Sequence, residues 1–160
     1  MPKKKNSKKK NIKKNVSTNK KVNWLLHFIA NGYRCQISGM HINNMLPGTA
    51  NFHSHGMDQY NHPDFQLVLH CSLDKAAYIL NSLCYRVLAG ERFKDGDYVK
   101  GIFADRDIRL DTYDETGRKV LRVMIPDGNN FYPEDSRCDM WYRLQLLKTE
   151  ELYMWHVNSL

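Results

Sequence analysis

From residue 22 onward the apolar residues fall into short, separable patterns. In Asn23–Asn31 the apolar positions Trp24, Leu25, Phe28 and Ile29 have helical spacing, and Gly32 stands where a helix would stop, so the pattern predicts a short N-terminal helix. Tyr33–Ile37 alternates with period two, as a strand does, and Asn43-Asn44 and Pro47-Gly48 mark a loop. Phe65–His70 reads as a buried strand. Ser72 then opens a run with apolar residues at 73, 76, 77, 80, 83, 84, 87 and 88, closed by Gly90. A capping side chain, a continuous apolar stripe and a glycine at the stop predict a long amphipathic helix over about residues 73–89.

Beyond it, Tyr98–Phe103 suits a strand. Ile108–Tyr113 and Val120–Ile125 alternate on either side of Asp114-Glu-Thr-Gly117, a hairpin pattern. Cys138–Leu160 is amphipathic and fits helix or strand equally. Strands around one or two helices without a βαβ rhythm predict a single α+β domain over residues 22–160. Its sheet should be mainly antiparallel, packed by the long helix and the short N-terminal one.

Charge divides the chain at its start. Residues 1–21 hold ten of the 24 Lys and Arg and no acidic residue, leaving 14 basic against 17 acidic residues in the remainder, a net −3 beneath an overall +7. A Lys/Asn-rich segment with so little apolar surface is expected to be disordered. Lys3, Lys4, Lys5, Lys8, Lys9, Lys10, Lys13 and Lys14 fit non-specific contact with nucleic acid or another polyanion, or a solubilising role with no dedicated partner. No apolar run reaches the roughly 18 residues of a membrane span, and the N-terminus lacks a signal-peptide core. Cys35, Cys71, Cys84 and Cys138 are too scattered for a zinc ribbon or a disulfide scaffold. These features predict a cytoplasmic protein, or a nuclear one in a eukaryote, with no membrane partner.

The densest reactive chemistry lies in residues 52–65, where His53, His55, Asp58, His62 and Asp64 fall within 12 positions. On a strand, His53 and His55 share one face. With His62 they would supply three imidazoles to a divalent metal such as zinc, and Asp58 or Asp64 would serve as a further ligand or as the catalytic base of a metal-dependent hydrolase. The alternative reading packs one imidazole, exposes another and makes His62-Pro63-Asp64 a proline-fixed turn. Without a complete catalytic constellation, a non-catalytic or ligand-binding module with a basic tail is the leading expectation. Exposed aromatics among Trp141, Tyr142, Tyr153 and Trp155 would anchor a protein partner.

Several motifs appear together in one order: Gly56 at a strand end, His62-Pro63-Asp64 before an apolar strand, Leu88-Ala-Gly-Glu-Arg-Phe93 followed by Gly96, and Pro126-Asp127 with Phe131 and Pro133. In these, residues 33–146 resemble the bacterial domain-of-unknown-function family numbered forty-two sixty-two. The resemblance implies a small α+β domain and no particular reaction. Where that family typically carries Tyr-Thr-x-Gly, this chain has His53-Ser-His55-Gly56, so the resemblance favours His62 and Asp64 over His53 and His55.

Overall fold

A computed structural model describes residues 21–154. The Lys-rich residues 1–20, and Trp155 with the rest of 155–160, lie outside the described residues. Six strands, β1 (Leu25–Ala30), β2 (Thr49–His55), β3 (Asp64–Leu69), β4 (Tyr98–Val99), β5 (Ile108–Glu115) and β6 (Arg118–Met124), form one sheet in the order β1-β2-β3-β6-β5-β4. Every neighbouring pair is antiparallel except β3 with β6. A parallel pair needs a long crossover. It contains the helix α1 (Leu73–Leu88), which gives the α+β architecture its layered form. No helix among the described residues is long and apolar enough to cross a membrane.

The α1 helix forms where its pattern predicts. The Ser72 hydroxyl accepts the Lys75 amide, and Gly90 takes the left-handed conformation, φ 109°, just past the end. Its inner face, Ala76, Ile79, Leu80, Leu83, Cys84 and Val87, packs on one side of the sheet against Phe52, Phe65, Leu67, Leu121 and Val123. Each large apolar side chain buried there contributes roughly 1.5–3 kcal/mol. The β5–β6 hairpin closes more tightly than its sequence suggests: only Thr116 and Gly117 form the turn, both with positive φ (45° and 87°). That is the backbone twist a two-residue hairpin favours.

Three predicted elements differ. Residues 25–30 form strand β1 rather than a helix. Leu26, Phe28 and Ala30 face α1, and β1 pairs with β2 in the register Leu25↔His55, His27↔His53, Ile29↔Asn51. So short a helix is marginal alone, whereas an edge strand gains a ladder of hydrogen bonds and the same burial. Tyr33–Ile37 is not a strand, because Cys35 turns back on itself: its amide donates to the Met40 carbonyl (2.8 Å) and its carbonyl accepts the Gly39 amide (2.8 Å). The strand expected over residues 98–103 stops at Val99.

The second face of the sheet is polar and covered. Asn51, His53, Gln66 and Arg122 are all buried there. The cover is the C-terminal segment, a helical turn α2 (Met140–Arg143) followed by 3₁₀ turns at Leu144–Leu146 and Thr149–Leu152. Arg122, wholly buried, ties the two layers together. Its guanidinium donates to the Gln145 carbonyl (2.9 Å), the Leu147 carbonyl and the Thr149 hydroxyl (3.3 Å), and lies 3.6 Å from the centre of the Tyr113 ring. Its Nε donates to Gln66 Oε1 at 2.9 Å.

Candidate metal centre

The β1–β2 register sets His27 directly across from His53, with His55 two residues further along the same face of β2. The ligand atoms of His27, His53 and His55 lie within 4.8 Å of one another, the convergent group of metal-ligating side chains among the described residues. His27 Nδ1 and His53 Nε2 are 3.2 Å apart. Two imidazole nitrogens bound to one tetrahedral ion at about 2.0–2.1 Å stand about 3.3 Å apart. The pair already has that spacing. His55, half-buried, completes the group, its ring centre 4.8 Å from that of His53.

A relay of hydrogen bonds decides which nitrogen of His53 faces the cluster. An arginine only donates, so the Gln66 atom that meets Arg122 Nε is its oxygen. Gln66 Nε2 therefore donates to Asn51 Oδ1 at 3.0 Å. From the other side, Asn51 Nδ2 donates to the Glu115 carboxylate at 3.3 Å, and an ionised carboxylate only accepts. With Asn51 oriented from both ends, its Oδ1 is an acceptor. His53 Nδ1, 3.0 Å away, must then carry the proton. The lone pair of His53 sits on Nε2 and points at His27. Outer-shell acceptors of this kind fix the tautomer of metal-binding histidines and raise their basicity. Without an ion, a proton on His27 Nδ1 makes the 3.2 Å contact attractive.

The electrostatics keep His53 and His55 neutral. Burial pulls the pKa of His53 down to about 4, outweighing the attraction of Glu115, whose carboxylate is 3.9 Å from Nδ1. Burial, with the Arg118 charge, also lowers His55. Burial alone would raise the Glu115 carboxyl, but hydrogen bonding to Arg118 at 2.9 Å and the proximity of His53 hold it below the ordinary glutamate value. At neutral pH these two side chains offer nitrogen lone pairs, not positive charge.

Cys35 touches this cluster from outside. Its Sγ is 3.7 Å from Nε2 of His27, the nitrogen facing away from His53. Hydrogen bonds from the Ser38 hydroxyl and amide, then from His27 and the Ile37 amide, bring its thiol down to about 6. An ion held by His27 Nδ1 leaves the sulfur beyond the coordination sphere, as the acceptor for Nε2–H.

The structure separates the residues predicted for the site. His53 and His55 converge, but His62 is not part of the group. Its Nδ1 donates to the Pro63 carbonyl (2.7 Å) and its Nε2 accepts the Phe93 amide (3.0 Å), so both nitrogens are committed to backbone and none is left for a metal. Asp64 is likewise committed. One oxygen accepts from Ser54 Oγ (2.8 Å) and the Met57 amide (3.1 Å), and the other from Arg118 (2.6 Å). Asp58 is exposed on the 3₁₀ turn Met57–Tyr60 and stands outside the converging group. The third imidazole, His27, belongs to the segment whose apolar spacing predicts a helix. Reading that segment as an edge strand is the signal that would have found it. A search of protein-family models, curated proteins and solved structures gave no match to this chain.

Proposed function

We propose that this domain is a metal-binding module that holds one divalent transition-metal ion, zinc by its all-imidazole donor set, between His27, His53 and His55, with a coordination position open to a ligand. The observation that carries this reading is the lone pair of His53, aimed at His27 across 3.2 Å by a relay anchored at Arg122 and Glu115. A ligand-binding role suits these groups better than hydrolysis. The carboxylates expected to act as base do not serve the cluster, since Asp64 is held by Ser54, Met57 and Arg118. The likeness of residues 33–146 to the domain-of-unknown-function family numbered forty-two sixty-two names no reaction and lends no support at His53 and His55, where this chain departs from it. The Lys-rich tail adds a second element to the proposal, a salt-sensitive tether to polyanions such as nucleic acid.

A competition titration of the full chain with zinc tests the metal reading. One equivalent should bind, and His27→Ala and His55→Ala should each remove most of the affinity. Absence of stoichiometric binding, or undiminished binding by either variant, would overturn it.

A further inference from the structure

Beside the imidazole cluster, on the same face of the sheet, a groove of about 500 Å³ runs between the Ser38–Asn44 loop and the Thr116–Tyr153 side. Ile29, Met40, Ile42 and Tyr153 make its wall mostly apolar, and Cys35 lines it as well. Three contacts join groove and cluster. Ile29 follows His27 by two residues and so shares its face of β1. Cys35 borders the groove while its sulfur lies 3.7 Å from the His27 ring. The Tyr153 hydroxyl accepts from Asn51, the same side chain that fixes His53.

We infer that the ion and the groove form one site for a small organic carboxylate, its head on the open coordination position and its unbranched apolar chain along Ile29, Met40 and Ile42. This inference rests on the metal reading above and specifies its ligand. All three protein donors are neutral imidazoles, so the charge of a divalent ion is uncompensated in its own coordination sphere and an anionic oxygen is the preferred fourth donor. Glu115 and Asp64 are engaged by Arg118, and the Cys35 sulfur, on the outer nitrogen of His27, is the acceptor for its Nε2–H rather than a ligand, so none of these neighbours fills that position. The chain of the acid is selected by burial. Met40 and Ile42 have no polar group to direct a headgroup, and Met40 is 70% exposed, a large apolar surface for a loop residue. A volume of this size accommodates a small molecule, at the lower end of what ligand pockets enclose.

The test uses full-length protein loaded with cobalt(II), whose visible spectrum reports the fourth ligand, titrated with acetate, octanoate and 1-octanol. Octanoate should perturb the spectrum with an affinity about 10-fold or more above that of acetate, the gain from burying two of its additional methylenes. 1-Octanol should be much weaker than octanoate. Met40→Asp and, separately, Ile42→Asp should erase the difference between octanoate and acetate, with cobalt content read in each variant. Equal affinities for acetate and octanoate, or an octanoate preference that survives both variants, would overturn the inference while leaving the metal site standing. Octanol binding as tight as octanoate would show a groove independent of the ion and overturn it as well. A protein that takes up no cobalt removes the metal reading and this inference with it.

Discussion

Replacing Gln66 with methionine tests the relay that orients His53. Gln66 is fully buried and makes three hydrogen bonds, to Asn51, Thr149 and Arg122. Gln66→Met keeps an unbranched side chain of similar length and removes all three. Asn51 Oδ1 and Thr149 Oγ1 retain other donors, so each loses one neutral bond of about 0.5–1.5 kcal/mol, while Arg122 Nε is left as a buried charged donor at about 1.5–3 kcal/mol. Set against the apolar gain of the methionine, the net loss is about 3 kcal/mol, or roughly 6–12 °C in Tm for a chain of this size. Asn51 loses the contact that orients it from the Arg122 side, and the constraint that places the His53 proton on Nδ1 is weakened to the Glu115 end alone. Zinc affinity should fall about 10–100-fold, the usual effect of removing an outer-shell partner. Nitrogen-detected NMR of the imidazoles should show His53 leaving the single Nδ1–H tautomer. Val68→Ala, a cavity on the same strand costing about 2 kcal/mol, serves as the control and should leave affinity intact. A Gln66→Met protein that is destabilised as expected, yet keeps His53 protonated on Nδ1 and binds zinc within about threefold of wild type, would refute the relay.

Three further outcomes follow from the same geometry. Folding depresses the pKa of His53 from 6.5 to about 4, so the neutral form is favoured in the fold. Its contribution, about 3 kcal/mol, should be complete above pH 6.5 and be lost as pH falls from there toward 4; urea denaturation at pH 7.5 and 4.5 measures it, and equal stabilities would contradict the shift. His62→Ala leaves the Phe93 amide and the Pro63 carbonyl without their partner and should lower stability by about 1–3 kcal/mol in chemical denaturation while zinc affinity is unchanged. Deleting residues 1–21 removes ten basic groups and should abolish salt-sensitive binding to a polyanion such as heparin, with thermal stability nearly unchanged; retained binding would place the attraction in the folded part.

The elements most legible in the sequence are those whose local signals agree. For α1, Ser72, the apolar stripe and Gly90 all specify the same boundaries. The β5–β6 hairpin is marked by its alternation and by Gly117, although the turn itself is two residues rather than four. The segment Trp24–Ala30 is ambiguous because Trp24, Leu25, Phe28 and Ile29 satisfy a helical period, while the register that makes it a strand is set by β2, some twenty residues away. That ambiguity hides His27 and with it the third imidazole of the cluster. His62-Pro63-Asp64 is conspicuous in the sequence, but its polar groups serve the backbone of Phe93, Met57 and Pro63 and the side chains of Ser54 and Arg118. Arg122 gives no signal at all: a cation in an apolar strand reads as a solvent-facing residue. It is buried because Gln145, Leu147 and Thr149, from a segment whose secondary structure the sequence leaves open, close over it.

The proposed metal centre is made of three imidazoles, His27, His53 and His55. X-ray absorption at the zinc edge of the loaded full-length protein tests it most directly. The spectrum should show three imidazole nitrogens at about 2.0–2.1 Å and no sulfur near 2.3 Å, with one imidazole lost and replaced by light-atom solvent in His27→Ala. A spectrum showing sulfur coordination, or one unchanged by His27→Ala, would contradict it.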